Sequence, residues 1–221
     1  MEPDHTEGLE FAERHRTTRA EALASPRGRL IAAIVECVGA RGYSATTLTD
    51  IVGSAHVSRS TFYEHFVNKE HCFIEAVHTG VGIIRTRIAD ELAELPADAD
   101  PQVRIAAMIT TFCAVVAAEP NFSRLILVEA LLVGEATAGL RDDAVDSFAM
   151  MYRQFHDQAR AQDPALGEVS DDLIALVPDG IGERTRRLLV RDGASRVPEM
   201  APAFIEFANT VLGLATAPVR A

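Results

Sequence analysis

The chain has 221 residues, of which 48% are hydrophobic, and its formal net charge is −11. That apolar content supports a packed core and excludes wholesale disorder. The acid surplus excludes a uniformly basic coat for polyanions, because long-range steering towards nucleic acid needs a positive field. Aromatics are 6%, Trp is absent and alternating β-branched residues are scarce, so an all-α fold is expected.

The cysteines, Cys37, Cys72 and Cys113, are odd in number and scattered. That argues against a disulfide framework and suits a reducing, cytoplasmic location. The N-terminal residues lack the apolar region of a signal peptide. The most apolar run, residues 125–133, is short and holds Glu129, so no segment is expected to span a membrane.

In chain order, residues 1–24 are polar and mixed in charge, and a mobile or loosely helical arm is expected. From Arg27, the residues Leu30, Ile31, Ile34, Val35 and Val38 recur at helical spacing, and Arg41-Gly42 supplies a stop. Thr47, three residues before Asp50, opens a short helix whose apolar side is Leu48, Ile51 and Val52. Ser58 can cap a third helix with Phe62 and Phe66 inside. Asn68 can cap a longer one, from Lys69 to about Leu92. An acidic loop with Pro96 and Pro101 follows. Amphipathic helices are then expected near 102–118, 121–132, 137–161, 171–191 and 199–213, with Pro120, Gly134, Pro164 and Gly193 between them.

Charge is uneven along the chain. Residues 25–71 hold five basic and four acidic side chains, so the acid surplus lies elsewhere. Short helices separated by about four residues describe a helix-turn-helix, whose second helix enters the major groove of DNA.

The order of residues sharpens this. TTLTDIVGSAHVSRSTFYEHFVNKEHCF, residues 46–73, resembles the DNA-binding half of TetR-family (tetracycline-repressor-like) regulators. That family shows T-x-x-x-I-A-x-x-A-G-V-S-x-G-x-L/F-Y-x-H-F-x-x-K-E-x-L after a Gly-Tyr/Phe. This chain supplies Gly42-Tyr43, Thr47, Ile51, Ala55, Val57-Ser58, Phe62-Tyr63, His65-Phe66 and Lys69-Glu70. It departs with Val52 where Ala is usual, His56 where Gly is usual, and Ser60 where Gly or Ala is frequent. The resemblance implies that Thr47, Tyr63, His65 and Lys69 contact phosphates. It also implies that Ser58, Arg59, Ser60 and Thr61 face the groove, with Arg59 reading bases, while Val57, Phe62 and Phe66 are core. Taken singly, each has a blander reading as a helix cap or a solvated surface residue.

The resemblance further implies three parts: the arm at 1–24, a DNA-binding domain at 25–72, and a ligand-binding and dimerisation domain at 73–221. Expected dimer residues are Ile174, Val177, Ile181, Leu188, Phe204, Phe207 and Val211, unless those stripes only fill their own subunit. Expected effector-pocket residues are Met108, Phe112, Val116, Phe122, Ile126, Glu129, Met150, Met151 and Phe155, with plain core as the alternative for each. No metal or cofactor set and no catalytic constellation stands out. The function implied is a homodimeric, ligand-responsive regulator, a repressor released from double-stranded palindromic operator DNA by a small, largely apolar molecule. The rival is an all-α binding protein or enzyme with a vestigial helix-turn-helix.

Overall fold

A computed structural model describes residues 23–214, so the expected arm lies outside the described residues except for Leu23 and Ala24. Among the described residues the chain is helical throughout, and it divides into two compact units between Ala76 and Val77.

The first unit holds α1 (Pro26–Arg41), α2 (Leu48–Ser54), α3 (Arg59–His65) and the start of α4 (Lys69–Glu94). Local chemistry sets each boundary. The Ser25 hydroxyl accepts from Gly28 N at 3.0 Å, with Pro26 in the first turn. Gly42, at φ 80°, ends α1 and donates to Val38 O at 2.8 Å. Thr47 and Asp50 form a reciprocal capping box on α2. Asn68 Oδ1 accepts from His71 N at 2.8 Å at the head of α4. Leu30, Ile34, Val38, Ile51, Phe62, Phe66 and Phe73 are buried around one core. Val57, expected in that core, is only half-buried.

The end of α2 carries the strain in this unit. His56 sits at φ 52°, among the described residues the only one other than glycine with positive φ. His56 N donates to Gly53 O (3.2 Å) and Val57 N donates to Val52 O (3.1 Å). That is the paired bonding of a Schellman cap, with His56 in the left-handed position. The chain repeats the device after its last helix, where Gly213 (φ 67°) takes the same position and Leu214 N donates to Asn209 O at 2.9 Å.

The second unit contains the rest of α4, then α5 (Pro101–Ala118), α6 (Pro120–Arg124), a π-helical turn (Leu125–Glu129), α7 (Ala130–Val133), α8 (Glu135–Gln162), α9 (Asp171–Arg191), a 3₁₀ segment (Ala194–Met200) and α10 (Ala201–Val211). The expected helix over 121–132 is therefore interrupted by one wide turn, which no periodicity announces. The expected last helix begins in a 3₁₀ segment containing Pro198. By length and a mean hydropathy of 1.5, α5 could cross a membrane, contrary to the expectation from sequence. Its Ile105, Met108, Ile109, Cys113 and Val116 are buried, and it packs on the 3₁₀ segment, α8 and α10. Its apolarity is that of a core helix.

Candidate functional site

The helix-turn-helix is built so that one side of α3 is anchored and the other is free. Phe62 and Phe66 are buried, with ring centroids 5.6 Å apart. Ser58, Arg59, Ser60 and Tyr63 are exposed, the last by 59%, while Thr61 and His65 are half-buried. The Ser58 hydroxyl accepts from Thr61 N (3.0 Å) and lies 2.6 Å from Ser60 Oγ and 2.9 Å from Thr61 Oγ1. Four hydroxyl- or guanidinium-bearing residues thus share the helix N-terminus, where free N–H groups favour anions.

Arg59 Nη2 donates to Thr49 Oγ1 at 2.7 Å. That bond holds the guanidinium against α2 and brings in Thr49, an exposed residue that the motif does not mark. On α2, the Thr47 hydroxyl is occupied: it donates to Asp50 Oδ2 (2.6 Å) and accepts from Asp50 N (3.2 Å). The Thr47 side-chain and backbone bonds, with Arg41 at 2.9 Å, hold the Asp50 carboxyl below its ordinary range.

Lys69 differs from the expectation. Its ammonium donates to Tyr43 O (3.0 Å) and Thr46 O (2.8 Å) and lies 3.9 Å from the Tyr43 ring centroid. Two of its three donors therefore hold the loop between α1 and α2. Its partial burial depresses its basicity.

In the second unit a cavity of about 70 Å³ lies among α4, α5, the π turn, α8 and α9. Of the residues expected to line a pocket, Met108, Phe112 and Ile126 do so. The others do not. Val116 is core; Phe122 is half-buried, beside Gly80, where an added Cβ would sit 2.9 Å from its ring. Buried Glu129 pairs with Arg124 at 3.4 Å. Met150 is 64% exposed, on the outer side of α8, while half-buried Met151 and buried Phe155 pack off the wall. The wall instead takes Val81 and Ile84 from α4, Arg141, Val145, Phe148 and Tyr152 from α8, and Pro178, Ile181 and Gly182 from α9. These had no motif. Pro178 inside a helix was a legible signal, since it deletes one backbone donor and opens the local packing.

The dimer expectation also needs correcting. Ile174, Val177, Ile181, Leu188 and Phe204 are all buried within their own subunit, and Ile181 lines the cavity. The stripe one residue away is the free one: Leu173 and Leu176, 49% and 55% exposed, then Gly180, Glu183, Arg187 and Val190 at three- and four-residue spacing on α9. Phe207 of α10 is 38% exposed, and a Cβ added at Gly180 would lie 3.2 Å from its ring. Val211 is half-buried.

Residues 30–76 match the tetR family of bacterial regulatory proteins. No curated protein matches the chain significantly. Solved structures share the fold over most of its length. FadR from Bacillus subtilis, in complex with stearoyl-CoA, superposes with a TM-score of 0.71 at 16% identity, covering 81% of this chain and 96% of its own. A regulatory protein in the tetR family from Rhodococcus RHA1 gives 0.70 at 20% identity, with 87% and 99% covered. AibR, in complex with isovaleryl coenzyme A and operator DNA, gives 0.64 at 16% identity, with 82% and 96% covered.

Proposed function

We propose that the chain is a TetR-family regulator, a reading supported by the match of residues 30–76 and by the shared fold, and that it represses transcription as a homodimer on a palindromic operator and is released by a small, largely apolar effector. The observation that carries this reading is α3: a seven-residue helix pinned by Phe62 and Phe66, with Ser58, Arg59, Ser60, Thr61 and Tyr63 left on or near its solvent side. In this role Arg59 reads base edges with its donor fork, Tyr63 and His65 meet phosphates, and Ser58 and Thr47 present capped helix ends. Lys69 acts first as a tether for the α1–α2 loop and offers its remaining N–H to a phosphate.

A second copy of the chain is the partner proposed for the free stripe on α9 and α10. A two-fold pair sets the patch of Leu173, Leu176, Gly180 and Phe207 against the same patch of the second copy, so that each contact occurs twice, as in an isologous interface. The two α3 helices then sit about 34–36 Å apart, in successive major grooves. Effector control follows from population shift. A ligand that favours a differently spaced state weakens operator binding by no more than its differential affinity for the two states. The covalent link is α4, which begins with Lys69 in the first unit and lines the cavity with Val81 and Ile84 in the second. Proteins of the same fold in complex with stearoyl-CoA and isovaleryl coenzyme A support an effector with an acyl-like apolar part.

The test is a gel shift with DNA upstream of the chain's own gene and from neighbouring intergenic stretches. Retardation of one fragment at moderate salt is expected, and Arg59→Ala should relax preference at particular base pairs by about 1–3 kcal/mol. If no fragment is retarded, the regulator reading fails. Equal loss on every sequence would remove Arg59 from base reading.

A further inference from the structure

We propose that the effector is a small apolar carboxylate whose charged end pairs with Arg141 inside the cavity. This deepens the effector part of the proposed function and rests on it. The wall is apolar except for the Arg141 guanidinium and the Tyr152 phenol, and no carboxylate lies on it. The Arg141 side chain is only 14% exposed. Its Nε is sealed from solvent without an acceptor. Its Nη2 lies at the wall, 3.8 Å from where a Cβ of Gly182 would stand. The acid beside it, Asp142, is 70% exposed and 3.6 Å from Nη1, too long for a hydrogen bond.

A guanidinium is a permanent cation with five donors in a planar fork. Burying it among Phe112, Phe148 and Ile181 with an idle Nε donor is costly, because the largely exposed Asp142, 3.6 Å away, repays the desolvation only weakly. A neutral apolar ligand would complete that burial and leave the cost in place. A carboxylate removes it, since its two oxygens match the fork. The same geometry limits size. A cavity of about 70 Å³ holds roughly five waters at 10–15 Å³ each. That fits a branched short chain rather than a long acyl tail, and it is about half the roughly 150 Å³ that holds a benzene ring. The edge-to-face pair of Phe112 and Phe148, centroids 6.4 Å apart, supplies aromatic walls for it.

The experiment is titration calorimetry on the full chain with isovalerate, hexanoate, benzoate and phenylacetate, each beside its primary amide. At least one acid should bind, tenfold or more tighter than its amide. Arg141→Met should bring that ratio close to one, while Asp142→Asn should keep it. Amides binding as tightly as acids, no acid binding, or a ratio preserved in Arg141→Met would each overturn the proposal. Should Arg141→Met fail to fold by circular dichroism, the acid-to-amide ratio of the unaltered chain still decides. The gel shift stands apart. Absence of any retarded fragment defeats the regulator reading while leaving acid binding intact; acids that fail to bind a chain that does retard DNA defeat only this inference.

Discussion

His56→Gly is the substitution whose effect the geometry determines most directly. His56 occupies the left-handed position of the cap on α2, at φ 52°, where its Cβ crowds the following carbonyl. An L-residue other than glycine pays about 1–2 kcal/mol there, with histidine among the better-tolerated types. Glycine removes that strain but loses about 0.5–1 kcal/mol through the greater freedom of its unfolded chain. The backbone bonds from His56 N and Val57 N stay in both cases, and the exposed imidazole gives up no packing. The balance is a gain of up to about 1 kcal/mol, or about 2–4 °C in Tm for a chain of this length. His56→Ala, which keeps the Cβ, should be no more stable than the original. Thermal unfolding of the three chains followed by circular dichroism at one pH checks this. If His56→Gly melts at or below the original, backbone strain is not the cost assigned here and the imidazole is making a contact of its own. Gly213, in the same cap on α10, is the internal reference: Gly213→Ala should lose stability where His56→Gly gains it.

Lys69→Met should destabilise the chain by about 2 kcal/mol, because two carbonyls lose a charge-assisted donor; an unchanged urea midpoint would show that the tether is idle. Stability should also fall between pH 7.5 and 5.5. Burial, then the Arg153 charge, pushes the pKa of His156 below the ordinary imidazole value, with Arg160 adding to the fall and Asp157 and the Leu212 backbone opposing it. The unfolded chain therefore takes up a proton that the folded chain refuses, so stability is full well above about pH 6.5 and drops as the pH falls through that value, by at most about 1.4 kcal/mol per pH unit. Glu183, held at about 2 by Arg186 and Arg187, titrates below that window. His156→Gln should flatten the urea-midpoint profile, and a slope that persists would assign it to other groups. Leu176→Arg, on the proposed two-fold face, should convert a dimer to monomer in sedimentation equilibrium with little change in far-ultraviolet dichroism; a dimer that survives would place the interface elsewhere.

What the amino-acid order determined by itself is the local grammar. Ser25, Thr47, Ser58 and Asn68 each satisfy free N–H groups within three residues of themselves. Such bonds depend only on neighbours in the chain, so helix starts are legible without a fold. The same holds for the left-handed turn at His56, and the register of α3 follows from Phe62 and Phe66 four residues apart. Tertiary structure alone decided which stripe of each later helix is inner. On α9 two apolar stripes run one residue out of phase, Ile174 with Val177 and Leu173 with Leu176, and nothing local ranks them. Packing against α8 and α10 buries the first and leaves the second free. Cavity walls are harder still, because a void is defined by what several helices together fail to fill. Met150 and Arg141 show both sides of that limit. The methionine, apolar and adaptable, lies outside. The arginine, which composition assigns to the surface, lies on the wall, because α8 turns that face towards α9 and Gly182 leaves room beside its guanidinium.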